Sequence, residues 1–147
     1  MARSYVAAND AARHELSSFV ARLTEEQLAQ PVGEHWTVSI ALAHLAFLDR
    51  LWCAKYDEWE RTGVVELPDL SLTTVGAMND GMLPWWRSIA PSQATHEVLA
   101  AAGAVDRRAA ALPQALVDAI LAVRPRTLLR AMHRRETLAE INRALGG

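Results

Sequence analysis

The sequence predicts an all-α protein, and three observations lead to that prediction. Alanine, the residue with the highest helix propensity, occurs 27 times among the 147 residues. Glycine and proline, which interrupt helices, number only 7 and 6. Apolar residues recur at spacings of three and four along most of the chain, and no useful stretch shows the period of two that a half-buried strand needs. We therefore expect amphipathic helices that bury their apolar faces against one another in a bundle.

The first helix is predicted over about residues 3–23, because its apolar residues lie on one face. Thr24 and Gln27 then form a capping-box pattern, which predicts a short turn of helix that ends at Pro31. Gly33 breaks the chain, and we expect a loop between it and the next helix.

Thr37 is the predicted N-cap of the second long helix, which we expect to end at Gly63. A third helix is predicted over about residues 71–88. Pro84 lies inside this third helix and is expected to bend or interrupt it, because proline removes one backbone hydrogen bond.

Three further helices follow. Apolar spacing predicts a fourth helix over about 91–112, bounded by prolines, and a short one over about 114–123. Pro125, at a favourable first helical position, is predicted to start the last helix, which ends at Gly146. The length suits one core, so we treat residues 1–147 as a single domain.

The composition also bounds where the protein works. A single cysteine, Cys53, excludes an intrachain disulfide and any CxxC motif, which fits a reducing compartment, and we expect Cys53 to be a buried structural residue. No stretch approaches the roughly 18 apolar residues that predict a membrane span, and the first residues do not have the pattern of a signal peptide. The sequence therefore predicts a cytoplasmic protein without membrane contact.

The five histidines differ in their surroundings. His14 is expected at the surface, and His35 lies in a loop without an evident partner. His96 lies near the start of its helix, at the edge of the apolar face, and is expected to be half-exposed. His44 and His133 fall among apolar residues of two different helices and are predicted to point inward. Two inward imidazoles suit a metal ion, but each is also explained as a hydrogen-bonded core histidine.

Three segments carry a resemblance to a known family. The tripeptide Trp36–Val38, the segment 43–50 (AHLAFLDR) and the segment 133–141 (HRRETLAEI) resemble the DinB-like superfamily, which includes the mycothiol-dependent maleylpyruvate isomerase N-terminal domains. The match in order and spacing extends over nearly the whole chain. It implies a four-helix bundle of the DinB-like type over residues 1–147, with one or two short extra helices, often as a homodimer.

The resemblance also implies a divalent metal such as zinc or nickel. His44 matches the first ligand position of the family and His133 the second, whereas the third position holds Thr137. Threonine is a poor ligand for either metal, because its neutral hydroxyl donates less charge than imidazole or carboxylate. Glu136 is a possible substitute, although it lies on a different side of the helix.

A pocket is predicted around these ligand positions. Ile40 and Phe47 are placed near His44 by helical spacing, and Leu129 and Thr137 lie in one row with His133. The resemblance adds Trp36, which would close the loop end of the pocket. The sequence assigns no catalytic residue.

The ligand positions and the resemblance lead to two functions of different classes. The first is a transferase or isomerase that depends on a metal and a low-molecular-weight thiol such as mycothiol, with an incomplete metal triad. The second is a non-catalytic module of the same fold that binds a small molecule or dimerises. Thr137 keeps the second interpretation open.

A basic cluster near the C-terminus raises nucleic-acid binding as a third function. We expect no such binding, because the net charge is −2 and no docking motif is present. The cluster is instead expected to be a solvated face that answers an acidic neighbour; its members are Arg124, Arg126, Arg130, Arg134 and Arg135.

Overall fold

A computed structural model describes residues 3–147. Within that range lie seven α-helices, one turn of 3₁₀ helix and one pair of two-residue strands. The all-α prediction is therefore confirmed. In chain order the elements are α1 (Ser4–Ala21), α2 (Glu25–Leu28), β1 (Pro31–Val32), β2 (Trp36–Thr37), α3 (Val38–Thr62), α4 (Leu72–Ser88), α5 (Pro91–Ala111), α6 (Gln114–Val123), the 3₁₀ turn (Pro125–Thr127) and α7 (Arg130–Ala144).

Three of the predicted helix ends carry the expected capping residues. Thr24 and Gln27 form the reciprocal capping box at the start of α2. The hydroxyl of Thr37 accepts a hydrogen bond from the backbone N–H of Ile40 and caps α3. Gly63 ends α3 with φ of 74°, a left-handed conformation that glycine adopts without steric cost.

The core is built where α1, α3, α5 and α7 meet. Contacts join α3 to α5, α5 to α1, α1 to α7 and α7 back to α3, so the four helices close a ring. Between α5 and α7, α6 adds apolar residues to a second part of the core. The largest fully buried apolar side chains of residues 3–147 are Trp59, Trp86, Tyr56, Leu16, Leu42, Leu45, Leu112, Ile120, Leu128, Ile141 and Val38.

The segment before α7 differs from the prediction of one helix from Pro125. The 3₁₀ turn ends at Thr127, Leu129 is non-helical with φ of −83° and ψ of 73°, and α7 begins only at Arg130. A buried side chain of α1 accounts for this start. Asn9 donates from Nδ2 to the carbonyl of Leu128 and accepts with Oδ1 from the backbone N–H of Ala131, so it caps the first turn of α7.

Two smaller features complete the fold. The loop predicted after Gly33 is part of a short hairpin in which Val32 pairs with Trp36, and this pairing fixes Trp36 next to the start of α3. Helix α4 continues through Pro84 to Ser88 and is not interrupted. Among residues 3–147, none of the helices has the length and apolar character required to cross a bilayer.

Candidate functional site

The two histidines predicted to point inward face each other across the α3–α7 contact. His44 lies on α3 and His133 on α7, with ring centroids 5.9 Å apart and ring planes at 75°. His44 also contacts Trp36 and Trp86, at centroid distances of 4.7 and 5.4 Å. The site is therefore an aromatic cluster in which two imidazoles are adjacent.

A cavity of about 240 Å³ adjoins the histidine pair, and we call it the histidine cavity. Most of its lining side chains project from α3 and α7, and neither of these helices contains glycine. Thr137 follows His133 by one turn of α7 and Ala41 precedes His44 by about one turn of α3. The lining residues are Trp36, Ala41, His44, His133, Glu136, Thr137 and Glu140.

The structure brings some of the predicted site residues together and separates others. Trp36, His44, His133, Glu136 and Thr137 all line the histidine cavity. The remaining three predicted pocket residues lie elsewhere: Ile40 is buried beside Trp86, Phe47 borders a different cavity, and Leu129 borders a third one near the start of α1.

The position of Leu129 corrects a prediction. The row that joins Leu129 to His133 and Thr137 assumes a helix running from Pro125, whereas Leu129 has non-helical dihedrals. Its side chain therefore leaves the row and packs against the core around α6. Only His133 and Thr137 of that row face the cavity.

A cation lies beside His133. Nη2 of Arg130 is 3.4 Å from Nδ1 of His133. A guanidinium carries only donors and stays protonated, so Nδ1 must be the accepting nitrogen of the imidazole. We assign to His133 the tautomer with its proton on Nε2, which makes Nε2–H a donor.

Both imidazoles are neutral at physiological pH. Burial lowers the pKa of His44 to about 4. Burial, followed by the positive charge of Arg130, lowers the pKa of His133 to about 3. General acid–base catalysis works best with a pKa near the working pH, so these rings suit hydrogen bonding or ligation better than proton transfer.

The donor set does not fit a three-ligand metal site. Between residues 3 and 147, no group of three or more histidine, cysteine, aspartate or glutamate side chains is arranged to hold a metal ion. The carboxylate of Glu136, the possible substitute, accepts from Arg126 at 2.9 and 3.0 Å. A metal-bound histidine normally donates the N–H of its second ring nitrogen to an acceptor. In His133 the nitrogen Nδ1 instead faces a donor, the guanidinium of Arg130.

A buried ion network supports the site from behind, and sequence reasoning missed it. Arg134 is fully buried, and its two terminal nitrogens donate to Asp106 at 2.9 and 2.7 Å. The same guanidinium lies 3.4 Å from Asp49, which also accepts from Nε of Arg130 at 2.9 Å. Arg130 thus connects the network to His133.

This network corrects the expectation of a solvated arginine face. Arg130 and Arg134 are buried, whereas Arg126 pairs with Glu136 and Arg135 pairs with Glu15 at the surface. A signal for the burial was present in the sequence. Asp49 and Asp106 each fall on the apolar face of a long helix, and a carboxylate in that position needs a cation.

A larger cavity of about 500 Å³ also borders the histidine pair, and we call it the arginine cavity. His44, His133 and Glu136 line both this cavity and the histidine cavity. The remaining lining residues come from α3, from position 70 and α4, from the segment before α7 and from the first residue of α7: Leu48, Leu51, Trp52, Leu70, Leu72, Val75, Met78, Asn79, Arg124, Arg126, Thr127 and Arg130.

The cavity that Phe47 borders, of about 530 Å³, lies between α3, α4 and the start of α5. Its wall is mostly apolar and includes Phe47 and Trp86, which are in edge-to-face contact at 5.9 Å. The two adjacent tryptophans of α4 face in different directions, since Trp86 is 2% exposed and Trp85 62%.

The other singled-out residues lie away from the histidine pair. His14 is exposed, as predicted, and His35 is exposed in its loop. His96 is exposed as well, whereas a half-exposed position was expected. Cys53 is half-buried beside the second part of the core, and burial raises the pKa of its thiol. A thiol held in its neutral form is not an activated nucleophile, which fits a structural role.

Comparisons of the chain with protein-family models, with curated proteins and with solved structures found no match.

Proposed function

We propose that this chain is a DinB-like four-helix bundle that binds a small molecule at the histidine pair, and that it acts as a binding module without metal-dependent chemistry. The ring of contacts among α1, α3, α5 and α7 supports the bundle. The pairing of a histidine on α3 with one on α7 is what the resemblance to the superfamily implies.

The contact between Arg130 and His133 carries this proposal. A cation 3.4 Å from Nδ1 makes His133 a hydrogen-bond donor through Nε2, which favours a ligand with an acceptor over a metal ion. Thr137 in the third ligand position favours the same conclusion, because its neutral hydroxyl suits hydrogen bonding to an organic ligand. Two cavities border the pair and offer the space.

The histidine side chains provide the test. The protein is titrated with a library of small organic fragments while the ring signals of His44 and His133 are followed by two-dimensional NMR. We expect some fragments to shift both rings and to lose affinity in His44→Leu. His96→Leu, at an exposed histidine, is the matched control and should bind as the wild type does. A library without any effect on either ring would contradict the proposal.

A thiol-dependent transferase or isomerase, with a metal on His44 and His133 and mycothiol as the thiol, is the second candidate. One observation favours it: the two rings are neutral at pH 7 and their centroids lie 5.9 Å apart. Metal analysis of protein purified without a histidine tag separates the candidates, because only the second requires a bound ion.

We also propose the homodimer that the resemblance implies. Trp85 supports it, since a tryptophan that is 62% exposed is typical of an interface. Sedimentation of the wild type and of Trp85→Glu tests it. A monomeric wild type would contradict the homodimer, and a dimer that survives the substitution would move the interface away from Trp85.

A further inference from the structure

We infer that the arginine cavity binds a small organic anion with an apolar body, and that Arg124 holds its anionic head. This inference rests on the proposed binding function and names the class of ligand. Three observations support it. They are the ion-pair partners of the three arginines, the donor character of His133 and the apolar residues of the remaining wall.

The three arginines of the cavity differ in their partners. Arg126 is paired with Glu136, and Arg130 is paired with the buried Asp49. Arg124 has a buried Nε that meets no hydrogen-bond partner among residues 3–147. No carboxylate among residues 3–147 pairs with the Arg124 guanidinium, so its positive charge is left for an anion that enters the cavity.

The charge balance of the wall favours an anion. Arg124, Arg126 and Arg130 line the cavity, and Glu136 is the acidic residue among the lining residues that the structure describes. Even with Asp49 counted behind Arg130, the cations outnumber the carboxylates. A concave wall with an excess of positive charge attracts small anions.

The polar groups next to the arginines are donors as well. His133 has its Nδ1 beside Arg130 and therefore offers Nε2–H. The backbone carbonyl of Thr127 already accepts from the hydroxyl of Tyr56, and the hydroxyl of Thr127 donates to the carbonyl of Arg124. His133 is therefore the neutral donor beside the arginines, and a ligand that contacts both must supply the acceptors itself.

The remaining lining residues indicate what the rest of the ligand should be. These residues come from α3, from position 70 and from α4, and all except His44 and Asn79 are apolar: Leu48, Leu51, Trp52, Leu70, Leu72, Val75 and Met78. Each methylene group that a ligand buries against such a wall favours binding. A free inorganic anion would leave this wall unused, so we assign the cavity to an anion with an apolar tail.

Matched probes separate head from tail. Octanoate, octanamide, acetate and inorganic phosphate are titrated into the full-length protein, and the side-chain signals of Arg124 and the ring signals of His133 are followed by NMR. We expect octanoate to shift both signals and to bind at least tenfold more tightly than octanamide, acetate or phosphate. Octanamide binding as tightly as octanoate would overturn the anionic head, and acetate or phosphate binding as tightly would overturn the apolar body.

The variant Arg124→Gln tests the residue. We expect it to weaken octanoate binding at least tenfold and to leave octanamide binding unchanged. Arg87→Gln removes an exposed arginine of α4 that does not line the cavity, so it should bind octanoate as the wild type does. Thermal unfolding of Arg124→Gln checks that the variant is folded.

The outcomes distinguish this inference from the proposed function. If Arg124→Gln and Arg87→Gln bind octanoate equally well, the assignment of the head group to Arg124 is wrong, while small-molecule binding at the histidine pair stands. If octanoate shifts neither Arg124 nor His133, the organic-anion ligand is wrong, and the fragment titration of the histidine rings decides the proposed function separately.

Discussion

Arg130 and His133 lie one turn apart on α7, with Nη2 of the guanidinium 3.4 Å from Nδ1 of the imidazole. This relationship decides which chemistry the histidine pair supports. A carboxylate or carbonyl in the place of Arg130 would orient His133 toward a metal, as the second partners of metal-bound histidines do. The guanidinium instead repels positive charge and leaves His133 a neutral donor.

The first prediction concerns the tautomer of His133. Because Arg130 donates toward Nδ1, we expect the proton of the neutral ring to reside on Nε2 at pH 7. Long-range ¹H–¹⁵N spectra of the histidine rings distinguish a protonated from an unprotonated nitrogen. An Nδ1–H tautomer at His133 would contradict the contact with Arg130 and reopen the site to a metal.

The second prediction concerns stability against pH. The pKa of each imidazole falls from about 6.5 in the unfolded chain to about 4 at His44 and about 3 at His133 in the folded protein. Between these values the unfolded state binds more protons than the folded one, so stability rises with pH. Their contribution is fully present above pH 6.5 and is lost as the pH falls toward 4 and then 3.

Urea unfolding at several pH values measures this dependence. We expect His44→Gln and His133→Gln each to flatten the loss of stability between pH 6.5 and 4, because each removes one proton taken up on unfolding. In His44→Gln, the charges that act on His133 remain in place: they are those of Arg126, Arg130 and Arg134. His96→Gln, at an exposed site, is the control. Equal pH dependence in all three variants would show that the buried imidazoles do not titrate on unfolding.

The third prediction concerns metal binding. Thr137 lines the histidine cavity one turn after His133, so a histidine in its place would add a third imidazole to the pair. We expect Thr137→His to bind Zn²⁺ at least tenfold more tightly than the wild type. Met132→His places the same side chain at an exposed position of α7 and controls for adventitious binding.

One outcome of the metal measurement would reverse the proposed function. If wild-type protein purified without a tag carries one equivalent of metal, and His44→Ala loses it, then two histidines suffice. The thiol-dependent transferase would then become the leading candidate, and the interpretation of Arg130 as a group that disfavours metal would be wrong.

Most of the fold could be predicted from local signals. Helix starts and ends depend on neighbouring residues, and Thr37 and Gly63 carry that information in the sequence. The late start of α7 was missed because its cap comes from Asn9, more than a hundred residues earlier. A cap supplied by a distant helix leaves no local pattern.

The site could be predicted only in part, for a related reason. Helical spacing was sufficient to identify His44 and His133 as inward-facing residues, since each is surrounded by apolar neighbours on its own helix. The partners of Arg130 and Arg134 lie on α3 and α5, so their burial depends on how the helices pack. The basic cluster therefore looked like a surface feature, although its central members are among the most buried side chains.

The fourth prediction concerns the buried ion network. Arg134→Leu leaves Asp106 without the guanidinium that approaches both of its oxygens and leaves Asp49 with Arg130 alone. We expect a loss of about 3–5 kcal/mol in the free energy of unfolding, measured by urea denaturation, because two buried carboxylates each lose a charged partner. Asp106 then keeps only Arg13, and Asp49 keeps only Arg130. Arg135→Leu, at the next residue of α7, breaks a pair with Glu15 that is half-exposed on both sides, and should cost at most about 1 kcal/mol. Equal losses in the two variants would mean that Arg134 contributes no more to stability than a surface ion pair.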